Sequence, residues 1–193
     1  FVSRFPEDVA AELKVYLLHN LCNWHTVKPW PRVSQKTAAF MIQAFGADAW
    51  NRQEMDFDLY MGLLLLSRKL AEMDRITVLN ALAEKHTVDL YTRSSCAYIR
   101  NVRVHQGVDY YTAMNKIFYL SKINLNITLP SIETGLPQRI LDIMGSGGFV
   151  LTNYQQEIED YFEIGKDLEV FHDLDELMEK TEYYLSHEEE RLR

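Results

Sequence analysis

Residues 123–152 read INLNITLPSIETGLPQRILDIMGSGGFVLT, and the reading of this stretch decides the fold. Ile123 to Leu129 is apolar and β-branched, with polar Asn124 and Asn126 alternating, and it stops at Pro130. A residue before proline is pushed toward extended backbone, so the run reads as a strand that ends there. Helix-compatible residues follow from Pro137 to Ser146. Pro137 suits a first helical turn, where its missing N–H has no partner to lose. Gly147 and Gly148 close that helix, since glycine commonly ends helices in the left-handed conformation, and Phe149 to Thr152 begins another strand. Strand, helix and strand in this order predict a parallel pair joined by a right-handed crossover.

The rhythm extends in both directions. Downstream, a helix is expected over Gln155 to Phe162, a strand over Leu168 to Phe171, and a helix over Leu174 to Leu185 with Asp173 as its cap. Upstream, a helix over Arg75 to Lys85 precedes a strand at Thr87 to Tyr91, a second strand at Val102 to His105 and a helix at Tyr111 to Lys122. Residues 74–193 therefore read as an α/β domain with a parallel sheet. Residues 1–73 read as a helical segment. There Val9, Leu13, Tyr16 and Leu17 recur at helical spacing, as do Leu59, Leu63 and Leu66. Pro29 and Pro31 mark a connection, after which Ser34 caps a helix carrying Ala38, Ile42 and Phe45; Asp56 and Asp58 read as capping residues. Trp24, His25 and Trp30 read as packing residues, without a catalytic role.

Composition excludes several classes. With 47% hydrophobic residues, 5 Pro and 8 Gly in 193 residues, the chain is expected to fold. The longest uncharged apolar run, Tyr60 to Ser67, stops at Arg68 and Lys69, far short of the ~20 residues of a membrane span. The chain opens on Phe1 without a basic, then apolar, leader, which suggests a fragment of a longer protein. Cys22 and Cys96 stand alone, giving neither a disulfide framework nor a metal-ligand pair, so a reducing, cytoplasmic setting and no metal are expected. Of the net charge of −8, the excess lies in Tyr154 to Arg193, which holds 14 of 28 acidic but 4 of 20 basic residues. Arg93 to Arg139 is basic by contrast, with Arg93, Arg100, Arg103, Lys116, Lys122 and Arg139 against Asp109 and Glu133. That segment suits an anion, or consists of solvated surface charges. A nucleic-acid partner is not expected, given the overall acidity and the lack of a basic-aromatic platform.

In an open parallel sheet, ligands bind outside the carboxyl ends of the strands. This selects the loops Thr92 to Ser95, Gln106 to Tyr110, Pro130 to Leu136 and Asn153. The window opening at Ser131 places Thr134 and Gly135 where a phosphate could approach free backbone donors at the start of a helix. Arg139 and Asp142, three apart, share a helix face that offers a guanidinium fork for phosphate and a carboxylate for ribose hydroxyls. The same spacing fits an ordinary surface ion pair, worth ~0.2–0.5 kcal/mol. Gly107 either lets the backbone approach a base or turns the chain. Asn124 and Asn126 either reach a ligand or pair with neighbouring backbone.

Taken in order, Val104-His-Gln-Gly107-Val108, a helix, Ile123 to Ile127, Thr134-Gly135, Arg139, Asp142, Gly147-Gly148 and a strand resemble the nucleotide-binding half of GT-B glycosyltransferases. The pattern is most similar to the glycosyltransferase family 1-like group that includes the spore maturation protein CgeB, and it continues through Asn153-Tyr154 and Gly165 to Tyr183–Arg191. The resemblance implies a Rossmann-like domain that binds a nucleoside-diphosphate sugar as donor substrate, with no obligatory cofactor. It implies that Thr134, Gly135 and Arg139 face the diphosphate, Asp142 the ribose and the Gly107 loop the base, with Ser131 beside them. The early basic pair of the family has no clear counterpart, Arg68 and Lys69 falling in a helix, so Arg93 or Lys122 is expected to contact phosphate instead. The acceptor is unknown, and a missing N-terminal half is expected to hold it. The alternative is a non-catalytic interaction module that kept the fold.

Overall fold

The computed structural model describes residues 5–25 and 66–192 apart from 133 and 134, together with positions 3, 40 and 43. The Pro29 and Pro31 connection, Trp30, the Asp56 and Asp58 cap, Leu59 and Leu63, Thr134, and all of the Ser34 to Phe45 helix except Phe40 and Gln43 lie outside the described residues. The chain divides into two compact units. One comprises Phe1–Leu21, Val27–Glu72 and Leu129–Ser131; the other comprises Cys22–Thr26, Met73–Thr128 and Ile132–Arg193.

In the first unit, α1 (Glu7–Asn20) buries Val9, Leu13 and Leu17, the residues that helical spacing aligns on one face. Glu7 and Asp8 sit in its first turn, where their negative charge complements the helix dipole. Leu66, Leu70 and Ala71 are fully buried. The Ser131 N–H donates to Ser67 Oγ at 3.0 Å.

Helix α2 (Ser67–Lys85) starts earlier than the expected Arg75, because nothing from Ser67 to Asp74 breaks a helix. The second unit, which α2 enters at Met73, then alternates strands and helices as the sequence predicts. Every strand pair is parallel. β1 (Asp89–Thr92) pairs with β2 (Arg103–Gln106), Asp89 opposite Arg103 and Thr92 opposite Gln106. β3 (Asn124–Asn126), β4 (Val150–Asn153) and β5 (Glu169–Phe171) form a second sheet in the order β3-β4-β5. Parallel α/β pairing thus agrees with the sequence, but the strands form two sheets rather than one. Just past β3 the Ile127 carbonyl accepts from Arg75 Nη2 at 3.1 Å.

Three helices and one wider turn lie between these strands, and two more helices follow β5. A π-helical turn (Tyr110–Met114) leads into α3 (Asn115–Leu120), followed by α4 (Gln138–Gly145), α5 (Ile158–Tyr161), α6 (Leu174–Ser186) and α7 (Glu188–Arg191). Phe118, Ile140, Ile143, Val150, Ile158, Leu168 and Val170 pack into one core. Burying each such side chain contributes ~1.5–3 kcal/mol before conformational entropy is counted. Ile140 and Ile143 put the apolar face of α4 into this core, which turns Arg139 and Asp142 away from it. The end of α4 is a Schellman motif: Gly147 at φ 74° donates to the Met144 carbonyl at 2.9 Å, and Gly148 to the Ile143 carbonyl at 3.0 Å.

Asn124 and Asn126 are structural. Asn124 Nδ2 donates to the Phe118 carbonyl at 2.9 Å, and Asn126 Nδ2 to Thr152 Oγ1 at 2.9 Å and Thr128 Oγ1 at 3.1 Å. The Thr128 N–H donates to Asn153 Oδ1 at 2.6 Å, which takes the backbone beyond Asn126 out of the strand ladder. Trp24 packs edge-on against Phe171 with ring centroids 5.1 Å apart, as expected of a packing residue. No helix among the described residues is long and apolar enough to cross a membrane.

Candidate functional site

Within each sheet the strands send their carboxyl ends the same way, and the candidate residues fall in the loops after β1, β2 and β3. Gly135 follows β3 at φ 116°, a conformation that only glycine adopts without strain. Two residues later Pro137 caps α4 from outside its first turn. Arg139 is exposed in that first turn, and Asp142 is half-buried one turn further on. These two do not pair with one another among the described residues. Asp142 Oδ1 instead accepts from the Tyr110 hydroxyl at 2.6 Å, and that hydroxyl accepts from Gln138 Nε2 at 3.2 Å. The bond to Asp142 is the main cause of a raised Tyr110 pKa, so the phenol stays protonated and remains the donor.

A second guanidinium lies at this end of β3. Arg75 reaches from α2 to the Ile127 carbonyl just past β3. Its pKa is lowered first by desolvation and then by the Arg139 charge, against an opposing pull from Asp74. A guanidinium whose charge is disfavoured by burial and by a like charge suits an anion, because a bound anion offsets the repulsion. The buried Asp74 carboxylate turns Oδ1 to the Cys22 N–H at 2.8 Å.

The loops after β1 and β2 also meet. A Cβ on Gly107 would lie 2.6 Å from Arg93 Cγ, so the missing side chain at Gly107 makes room for Arg93 to cross it. Arg93 further contributes to lowering the Asp109 pKa, behind the hydrogen bonds from Thr112. Asp109 begins the π-turn that carries Tyr110, which links the Gly107 loop to Asp142. His105 pairs with Asp89 at 2.6 Å and stacks on Tyr91 with centroids 4.6 Å apart.

The structure therefore brings Arg93 to Gly107 and Asp142 to Tyr110, with Arg75 on the Ile127 carbonyl past β3 and Arg139 exposed in the first turn of α4. Lys122 precedes β3, at the opposite end of the strand from Gly135 and Arg139. Ser131 belongs to the first unit. Three residues escaped the sequence reading. Arg75 looked like one more helix residue, and nothing local marks its reach to the Ile127 carbonyl. Tyr110 fell in an expected ligand loop, and Gln138 in the expected helix, without any motif of their own.

The model of a family described as glycosyl transferase-like matches residues 68–193, well over half of the chain. No curated protein and no solved structure matches it.

Proposed function

The chain belongs to the glycosyl transferase-like family, and from that premise we propose that its second unit binds the nucleoside-diphosphate sugar donor of a CgeB-like GT-B glycosyltransferase. The observation that carries this reading is the placing of Arg75 on the Ile127 carbonyl just past β3 and of Arg139 in the first turn of the helix that follows, with Asp142 one turn along that helix. Arg75 and Arg139 hold the diphosphate, together with backbone around Thr134 and Gly135. Asp142 accepts from the ribose, and the Gly107 loop with Arg93 lies toward the base. When the sugar is transferred, the bond from its anomeric carbon to the diphosphate oxygen breaks and the electron pair leaves with the nucleoside diphosphate. Fixed guanidinium groups stabilise that developing charge without reorganising. The acceptor would be held by a second, Rossmann-like half, as in GT-B enzymes generally.

Two single variants test the assignment. Arg139→Ala is expected to weaken binding of both a nucleoside diphosphate and inorganic pyrophosphate by about tenfold or more, the loss of a charged hydrogen bond. Asp142→Ala is expected to weaken only the nucleoside diphosphate. Native-like binding by both variants would contradict the reading. The second reading, a non-catalytic interaction module, draws on the exposure of Tyr111 (85%), Tyr119 (68%) and Leu120 (78%) near or on α3. It requires that Arg139 and Asp142 be dispensable.

A further inference from the structure

Asp142 is the residue assigned to the ribose, yet one of its two oxygens is already engaged. Oδ1 accepts from the Tyr110 hydroxyl at 2.6 Å, whereas Oδ2 has no protein partner among the described residues. The phenol is held from both sides. Gln138 Nε2 donates to its oxygen at 3.2 Å, which leaves the single phenolic hydrogen directed at Asp142. Tyr110 is itself placed by a specific backbone device. Asp109 Oδ1 accepts from Tyr111 N at 3.1 Å, Thr112 N at 2.9 Å and Thr112 Oγ1 at 2.8 Å, and the Asp109 carbonyl accepts from Met114 N at 3.2 Å, closing the wide π-turn. Isolated π-turns occur often at functional sites, where the extra residue re-aims a side chain.

We propose that Tyr110, steadied by Gln138, is a positioning residue that locks the Asp142 carboxylate with Oδ2 alone presented to the ligand, and so makes the site select nucleotides bearing a ribose diol. The inference rests on the donor-binding reading above and goes beyond it, since it assigns the sugar specificity of the site to a residue outside α4. A carboxylate free to rotate keeps both oxygens hydrated whichever ligand arrives. A carboxylate locked by a phenol is pre-organised for a hydroxyl, and a ligand lacking that hydroxyl covers Oδ2 without satisfying it. Discrimination therefore depends on the lock.

The experiment uses the whole chain and titrates UDP, GDP, ADP and CDP, then compares the tightest of them with its 2′,3′-dideoxy counterpart and with inorganic pyrophosphate. Native protein is expected to prefer the ribonucleotide by about tenfold, the size of one hydrogen bond to a charged group. Tyr110→Phe is expected to bring that preference to within about twofold while leaving pyrophosphate affinity unchanged. Gln138→Ala, an exposed substitution, is expected to shift it in the same direction and carries the test if Tyr110→Phe does not fold. Retention of the native preference by either folded variant would overturn the positioning role and leave donor binding intact. Equal binding of ribo- and dideoxynucleotides by native protein would overturn both this role and that of Asp142, and binding of no nucleotide would overturn the donor-binding reading itself.

Discussion

A Cβ added to Gly148 would lie 2.7 Å from both Asn124 Nδ2 and the Phe118 carbonyl oxygen, and 3.0 Å from Ile143 Cγ2. One of those neighbours is backbone and another is a buried amide already bonded to that carbonyl, so neither can yield cheaply. Gly148→Ala is expected to destabilise the fold by ~1–3 kcal/mol, measured by urea unfolding. Gly145, three residues earlier, has nothing within 4 Å of its would-be Cβ. Gly145→Ala is expected to be neutral or to stabilise by up to ~1 kcal/mol, because it removes only backbone freedom from a helix end. The sequence foretold a helix end at Gly147-Gly148, and Gly147 does occupy the left-handed region. The second reason for Gly148 was invisible in the sequence, because it comes from Asn124, a residue 24 positions away in the chain. The same distance in sequence hid the purpose of Asn124 and Asn126, whose alternation was plain but whose partners, Phe118, Thr128 and Thr152, depend on register.

Among the elements, α6 was the most legible. Asp173 was expected to cap it, and its carboxylate accepts from the Glu176 N–H at 2.9 Å and from His25 Nε2 at 2.8 Å. These bonds, the backbone one foremost, hold the Asp173 pKa below the ordinary aspartate value. A depressed carboxylate pKa means stabilisation that is complete above the unfolded value and is lost as pH falls through the folded one. Asp173→Ala is therefore expected to cost ~0.5–2 kcal/mol at pH 7, the usual worth of such a cap. The gap between native and variant unfolding curves should close below about pH 4. A gap that stays constant into acid would assign the effect to packing instead. Strand limits were less legible: β3 stops at Asn126 rather than Leu129, because Asn153 captures the Thr128 N–H. The π-turn over Tyr110–Met114 stands where the sequence predicts the end of a loop at Tyr110 and an ordinary helix from Tyr111, since the side chains of an α-turn and a π-turn carry no different periodicity over five residues.

For the molecule as a whole, strand and helix order disclosed the α/β architecture because each element carries its own period. The division of the strands into two sheets was not disclosed, since it is settled by which backbone groups meet. The site was half legible for the same reason. Arg139 and Asp142 could be placed on one face from their spacing, whereas Arg75 reaches the end of β3 only through the fold. The central claim is that the site of Arg75, Arg139 and Asp142 binds a nucleoside diphosphate, and calorimetric titration of the native chain with UDP, GDP, ADP and CDP tests it most directly. Saturable binding of at least one of them at one site per chain, abolished or weakened by about a hundredfold in the Arg75→Ala, Arg139→Ala double variant, is the expected result. A folded native sample that binds none of the four, or a double variant that binds as tightly as the native chain, would contradict it.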